Sequence, residues 1–576
     1  MDKKEYIEVS IGEKRADILL KNAKLVDTIS GEIIDTSIAI YKGFVIGWGD
    51  YNASKVIDLH GDFVSPGLID GHIHIESTMM TPGEFCKAVI PDGTTSVIAD
   101  PHEIANVTGI DGIVYFLKEA EFLPLNLFIM LPSSVPSTNL ETSGARIIVS
   151  DLSSLLSNKW VLGLAEVMNY NDVIRGEREI LEKIGLVRDK RVDGHAPGLK
   201  ERELNAYIMA GITSDHECTS MNEAKEKLQK GMHIMIREGT NEKNLKILLP
   251  LVNPLNSRHF SFVTDDKHPI DMIKDGHIDY IVRKAVKSGL SPIIALQMVT
   301  INTAVYFGLR DLGALAPGYK ADMVVFDDLY NFRPKIVFKD GRMLAKDGVI
   351  LKGFNIKNEV FSKDSIHIDL KSTKRLDVRA EGDRIRVIQV FSDQIITKGL
   401  TVEAKAAKGR IVSDTERDIL KIAVFERHRA TGRVAIGFVK GFGLKHGAIA
   451  SSVGHDSHNI VAVGTDDIYM SMAVEEIVRI KGGLAAITKE KRCLSLPLPV
   501  AGLMSEQPLQ IVAERLKDLL KIVKEMGTKL PDPFMALSFV SLPVIPEIRI
   551  TDMGLVDVAK GEIVSLFLPY PSSHQD

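Results

Sequence analysis

With 576 residues, 45% hydrophobic and 26% charged, the chain has the composition of a large globular protein, which excludes a disordered one. The formal net charge of −5 gives no electrostatic reason to bind nucleic acid or an acidic membrane, and neither is expected as a partner. Cys86, Cys218 and Cys493 are too few and too scattered for a disulfide framework or a zinc ribbon, which fits a reducing compartment. The start, Met1-Asp2-Lys3-Lys4-Glu5, lacks the apolar core of a secretory signal. No stretch approaches the ~20 apolar residues of a membrane-spanning helix, so a cytoplasmic location is expected.

Residues 16–64 read as short strands broken by turns: Ala16–Leu20, Lys24–Asp27, Ile38–Tyr41, Phe44–Gly47 and Lys55–Asp58. The same texture returns at Ala321–Phe326, Pro334–Lys339 and Gly341–Leu344. These flanks, 1–64 and 313–365, are expected to build one small discontinuous β domain, a β-sandwich. Between them, residues 65–312 alternate strand and helix. The candidate strands are Gly67–His74, Ser96–Asp100, Asn126–Leu131, Trp160–Glu166, Arg191–His195, Ile212–Glu217, His233–Arg237 and Ser261–Asp265. Amphipathic stretches such as Asn222–Gln229 and Ile278–Ser288 separate them. Eight β/α units over roughly 250 residues are the size of a (β/α)8, TIM-like barrel. An open doubly wound sheet is the alternative, but no glycine-rich phosphate turn supports it. Residues 366–576 are expected to form a separate α+β domain. Its expected strands are Ser372–Val390 and Thr401–Val412, and its expected helices Glu416–Arg427, Ala473–Ile480 and Ile511–Met526.

Barrel strands converge at their C-terminal ends, so polar residues there can meet across a pocket. The first strand ends in His72-Ile73-His74; residues two apart on a strand share a face, so both imidazoles can serve one metal ion. The fourth strand ends in Glu166, the fifth in His195, the sixth in His216 and the eighth in Asp265. Four imidazoles and two carboxylates are too many for one tetrahedral ion. They suit two divalent ions ~3.5–4 Å apart that share and acidify a water. The nitrogen and oxygen donors permit zinc, manganese or iron(II). Any one of these histidines alone would ordinarily be a satisfied polar residue, and Asp265 or Asp266 could equally cap a helix. Glu166 is harder to dismiss, because an unpaired buried carboxylate is costly. The second strand ends in Asp100-Pro101-His102-Glu103, where Pro101 holds Asp100 extended. Crowded acids there raise one another's pKa and can keep one protonated as a donor, or they form a helix N-terminal cluster. Arg237 and Glu238 end the seventh strand, either facing substrate or pairing with each other.

The order His-x-His, strand-four carboxylate, His, His, Asp resembles the amidohydrolase superfamily, whose metal-dependent hydrolase barrels include dihydroorotases and hydantoinases. Those members usually carry a carboxylated Lys on strand four. Glu166 stands there instead, which narrows the resemblance to the adenine deaminase family of bacteria and archaea. The stretches Ala99–Val107, Asp193–Gly198 and Asp215-His216-Glu217 look like that family. So do Gly454-His455-Asp456-Ser457-His458-Asn459 and Gly464-Thr465-Asp466-Asp467, so the likeness spans the whole length.

The resemblance implies conversion of adenine to hypoxanthine and ammonia, a purine-salvage reaction, by a homodimer. It implies two divalent ions, Mn2+ or Fe2+ with Zn2+ permitted, on His72, His74, Glu166, His195, His216 and Asp265. Asp265 would shuttle the proton. From the crowding of residues at the strand ends, His102 or Glu103 is expected to meet the purine ring, with Glu217 competing, and Asp100, Arg237 and Glu238 are expected to complete the substrate site. The absence of a basic phosphate clamp favours a free base. His455 and His458, three apart, would bind metal if helical, or else form an interdomain contact. A cyclic-amide hydrolase would demand Lys at position 166. A non-catalytic barrel scaffold would be expected to have lost a ligand.

Overall fold

The computed structural model describes residues 3–354, 356, 359–361, 364–392 and 396–568. The two β flanks do join. Phe63–Pro66 pairs parallel with Ala16–Asp27 and antiparallel with Met323–Phe326. That edge-to-edge link makes a single nine-stranded sheet, where a sandwich of two sheets was expected. Ala16–Asp27 is one strand with a register shift between Leu20 and Ala23, which made it read as two. Ser65 and Pro66, expected to open the barrel, belong to this sheet. Leu20, Leu25, Ile38, Val64, Met323 and Phe338 form its apolar cluster.

The eight expected parallel strands are present. They are β1 (Leu68–Ile73), β2 (Thr94–Ala99), β3 (Asn126–Leu131), β4 (Val161–Val167), β5 (Arg191–Gly194), β6 (Ser214–Asp215), β7 (His233–Arg237) and β8 (Phe260–Val263). β1 to β5 form one parallel sheet and β6 to β8 another. At one junction the Thr213 N–H donates to the Val192 carbonyl (3.0 Å); at the other the Asp265 N–H donates to the His72 carbonyl (3.0 Å). Nearly every strand residue is buried, as in parallel sheets covered on both faces. The covering helices are amphipathic: Ile278–Lys287 buries Ile278, Ile281, Val282, Ala285 and Val286, one stripe at helical spacing.

The C-terminal region holds an eight-stranded sheet between two helices. Glu416–Arg427, expected as a helix, is instead strand Ile419–Phe425, and all seven of its residues are buried. The charged ends Glu416-Arg417-Asp418 and Glu426-Arg427 disguised a run with period-two packing. Leu420, Ile422 and Val424 face helix Leu509–Glu525, while Ala423 and Phe425 face helix Asp467–Arg479. The expected strand Ser372–Val390 is narrower: a 3-10 turn at Leu370–Lys374 precedes strand Arg384–Gln389. Thr401–Val412 is the end of strand Lys398–Glu403 followed by a short hairpin. Residues 569–576 of the expected C-terminal domain lie outside the described residues. Among the described residues no helix is long and apolar enough to cross a membrane.

The C-terminal region docks over the barrel strands' C-terminal ends through Asp552. Its carboxylate accepts from the Thr142 N–H (2.8 Å) and hydroxyl (2.6 Å), and from Arg433 (3.2 Å). Asn459 donates to the Thr142 carbonyl (2.9 Å) beside it.

Candidate active site

Glu166, at the end of β4, is the hub of the site. Its Oε2 lies 2.7 Å from His195 Nδ1 and 3.1 Å from His216 Nε2, and its Oε1 lies 3.3 Å from His74 Nε2. Asp265 is the second hub, with Oδ1 3.2 Å from His74 Nε2 and 3.7 Å from His72 Nε2. His72 stacks on His216 with ring centres 4.2 Å apart. All six expected ligands therefore converge. Asp265 sits in the left-handed backbone region (φ 56°), a strained conformation typical of functional sites.

Burial alone would raise the Glu166 carboxyl, but His195 and His216 hold it well below its ordinary range. Burial opposes ionisation of Asp265 too, and the hydrogen bond from His74 and the charge of Arg237 override it. Burial works against charge on His216, yet Glu166 lifts it to about 9. Positive charge thus gathers where two buried carboxylates meet, which is the charge a divalent cation supplies. Burial and the neighbouring His216 and His74 keep His72 neutral. Its Nε2 is buried without a hydrogen-bond partner among the described residues, as a ligand nitrogen would be. The one nearby thiol, Cys218, turns away to Asp215 (3.1 Å). These nitrogen and oxygen donors fit a divalent metal. His74 Nδ1 meets the Asp100 carbonyl at 3.1 Å, the support that commonly orients a ligand imidazole.

Behind the ligands lies a buried ion pair. Lys227 Nζ is 2.9 Å from Asp215 Oδ2 and 2.6 Å from the Ala196 carbonyl, while Asp215 Oδ1 accepts from the Ala196 N–H (2.8 Å). It ties the residue after His195 to the residue before His216.

At the end of β2, Asp100 accepts from the His102 N–H (3.1 Å) and meets His102 Nδ1 (2.9 Å). A helix does start at His102, as the helix-terminus alternative expects, and His102 and Glu103 also line the cleft. Glu103 lies 2.5 Å from His455 Nδ1 and also meets His458 Nε2. Burial would raise Glu103, but these imidazoles hold it well below its ordinary range. It is therefore ionised and is a poor proton donor. His455 and His458 lie in a turn rather than a helix. His458 Nδ1 accepts from the Gly454 N–H (3.2 Å), so its Nε2 carries the proton given to Glu103.

Arg237 grips Glu217 (Nη2 to Oε2, 2.7 Å) and Asp265 (Nη1 to Oδ2, 2.7 Å). Glu238 does not join them: it pairs with Lys284 and accepts from the Leu245 N–H (3.3 Å). Its expected place beside substrate is corrected by strand geometry, since successive strand residues face opposite ways. The cleft is also lined by residues that sequence reasoning passed over: Met168, Glu242, Asp456, Phe539, Leu542 and Ile545. Asp456 lies between His455 and His458 in the Gly454–Asn459 motif, the one local signal for it. The apolar wall carries no local signal.

Parallel strands carrying this donor set at their C-terminal ends fit an amidohydrolase, and the Amidohydrolase family profile matches residues 63–344. The Adenine deaminase C-terminal domain profile matches residues 394–562. The "Adenine deaminase" of Kosmotoga olearia is 51% identical over 574 residues, covering 98% of this chain and 99% of that one. "Adenine deaminase 2" of Carboxydothermus hydrogenoformans is 46% identical over 567 residues, and the "Adenine deaminase" of Thermosipho melanesiensis 48% over 575; each covers 98% of this chain and 99% of the relative. The chain belongs to the adenine deaminase family.

Proposed function

We propose that this protein hydrolyses adenine to hypoxanthine and ammonia on a pair of divalent metal ions. The observation that carries this reading is Glu166, a carboxylate on β4 in contact with His74, His195 and His216, where cyclic-amide hydrolases use Lys. The reading includes a closed (β/α)8 barrel over residues 65–312, a β domain from 1–64 with 313–365, and an α+β domain from 366–576. His72, His74, Glu166, His195, His216 and Asp265 would hold the metals, manganese or iron(II), with zinc permitted. When bound, such a pair supplies a water acidified to react near neutral pH.

The chain's own residues then manage the protons. Asp265 takes the water's proton on Oδ1 and returns it to the departing amine nitrogen. Arg237 on its Oδ2 keeps the carboxylate aimed. His102, whose Nδ1 is held by Asp100, presents Nε2 to the purine ring as the nitrogen donor. Glu103, kept ionised by His455 and His458, stands 3.4 Å from that Nε2 and stabilises the charged imidazole. Burial opposes charge on His102, and Asp100 and Glu103 raise it well above its ordinary value, which suits this role.

The test is ammonia release from free purines by protein loaded in turn with manganese, iron(II) and zinc. Adenine is expected to yield equal amounts of ammonia and hypoxanthine. No ammonia from adenine by protein holding two ions per chain would overturn the reading.

A further inference from the structure

We propose that Asp456 recognises the ring N–H of a free purine base, so that the site takes nucleobases and refuses N9-substituted ones; this rests on the reading just given. Asp456 is 2% exposed and lines the cleft. Its Oδ1 lies 3.9 Å from both His102 Nε2 and His455 Nδ1. Its Oδ2 is buried without a hydrogen-bond partner among the described residues. A buried acceptor left unpaired is costly, and a ligand N–H facing it removes that cost. An ionised carboxylate accepts only, so the group it selects must be a donor.

The surroundings suit a flat heterocycle. Phe539, Leu542 and Ile545 give the cleft an apolar wall from the same C-terminal region. Phe539 is fixed by stacking on His455, with ring centres 4.8 Å apart and planes at 25°. His102 stands between the two ends of the cleft: its Nδ1 is 3.6 Å from Glu166 Oε1 and its Nε2 faces Asp456. One imidazole ring thus separates Glu166, at the metal-ligand end, from Asp456 at the other. Free adenine, like unsubstituted purine, has one ring N–H, on its five-membered ring; their N9-methyl derivatives have none. Glu242 is the other lining carboxylate without a partner, but it is more exposed, at 9%.

Calorimetric binding of unsubstituted purine and 9-methylpurine, neither of which has an amine to release, to the metal-loaded protein tests this without turnover, separately from ammonia release. The wild-type protein is expected to prefer purine over 9-methylpurine by about 10-fold or more, the value of a hydrogen bond to a charged group. Asp456→Ala is expected to shrink the preference to within about 3-fold at unchanged metal content. Asp456→Asn, which keeps the shape and a neutral acceptor, should fall between and decides the matter if the alanine variant does not fold. No preference in the wild type, a preference that survives both substitutions, or one abolished by Glu242→Gln instead would overturn the proposal. Purine binding with this pattern but no ammonia release would sink the deaminase reading and leave Asp456 standing.

Discussion

Lys227→Met is the sharpest probe of how the scaffold holds the ligands. Lys227 and Asp215 both have fully buried side chains (0% exposed) and lie 2.9 Å apart. Removing one partner of a buried ion pair leaves an uncompensated charge and costs about 3–5 kcal/mol. For a barrel-sized unit at 2–4 °C per kcal/mol this is a fall in Tm of about 6–20 °C. The pH dependence follows from Asp215. Burial alone would raise its carboxyl, but Lys227 holds it below the ordinary range. A depressed folded pKa gives stability that is present above the unfolded value, about 3.9, and lost as pH falls through the folded one. Without Lys227, burial raises Asp215, so the variant loses stability as pH rises past about 4. The gap between wild type and variant is therefore expected to widen from pH 4 to pH 8 in thermal unfolding scans. Adding Asp215→Asn should recover part of the loss, because the fully buried carboxylate charge is then gone and only the partly exposed Glu223, 2.8 Å from Lys227 Nζ, has lost its partner. A Tm within about 2 °C of wild type, or a gap constant across that range, would refute the reasoning.

Other outcomes follow from the site and its docking. Asp265→Asn is expected to lower turnover by about 10²-fold or more with metal content largely kept; equal losses of both would contradict a proton-shuttle role. Asp552→Ala leaves the Thr142 N–H without its acceptor and should cost about 1–3 kcal/mol by denaturant unfolding, with a raised KM because the apolar wall shifts. An unchanged midpoint would mean that Asp552 does not hold the two regions together. Glu238→Gln, just past the end of β7, should leave kcat and KM within about 2-fold, while loss of the buried, Lys284-paired charge costs about 1–3 kcal/mol. A large loss of turnover would restore it to the substrate site.

What the sequence made legible was local. His72 and His74 are two apart on a strand, and Glu166, His195, His216 and Asp265 end apolar runs, so their convergence follows from barrel geometry alone. The failures share a cause, which is that neighbours distant in sequence decide the outcome. Ile419–Phe425 is helical by its charged flanks and a strand by the helices on either face. Phe63–Pro66 joins two flanks more than 250 residues apart in the chain, so pairing turned an expected sandwich into one sheet. Asp456 and Phe539 reach the cleft because the C-terminal region is pinned there by Asp552 and Asn459 on Thr142 and by His455 and His458 on Glu103. Glu238 follows the alternation that joins His72 to His74: next to Arg237 it faces the other way and pairs with Lys284.

The most direct test of the central claim is metal content and ammonia release measured on the same samples of wild type and Glu166→Gln. Wild type is expected to hold two divalent ions per chain and to release ammonia from adenine, and the variant to lose both together. A Glu166→Gln protein that keeps two ions and the wild-type rate would contradict the account.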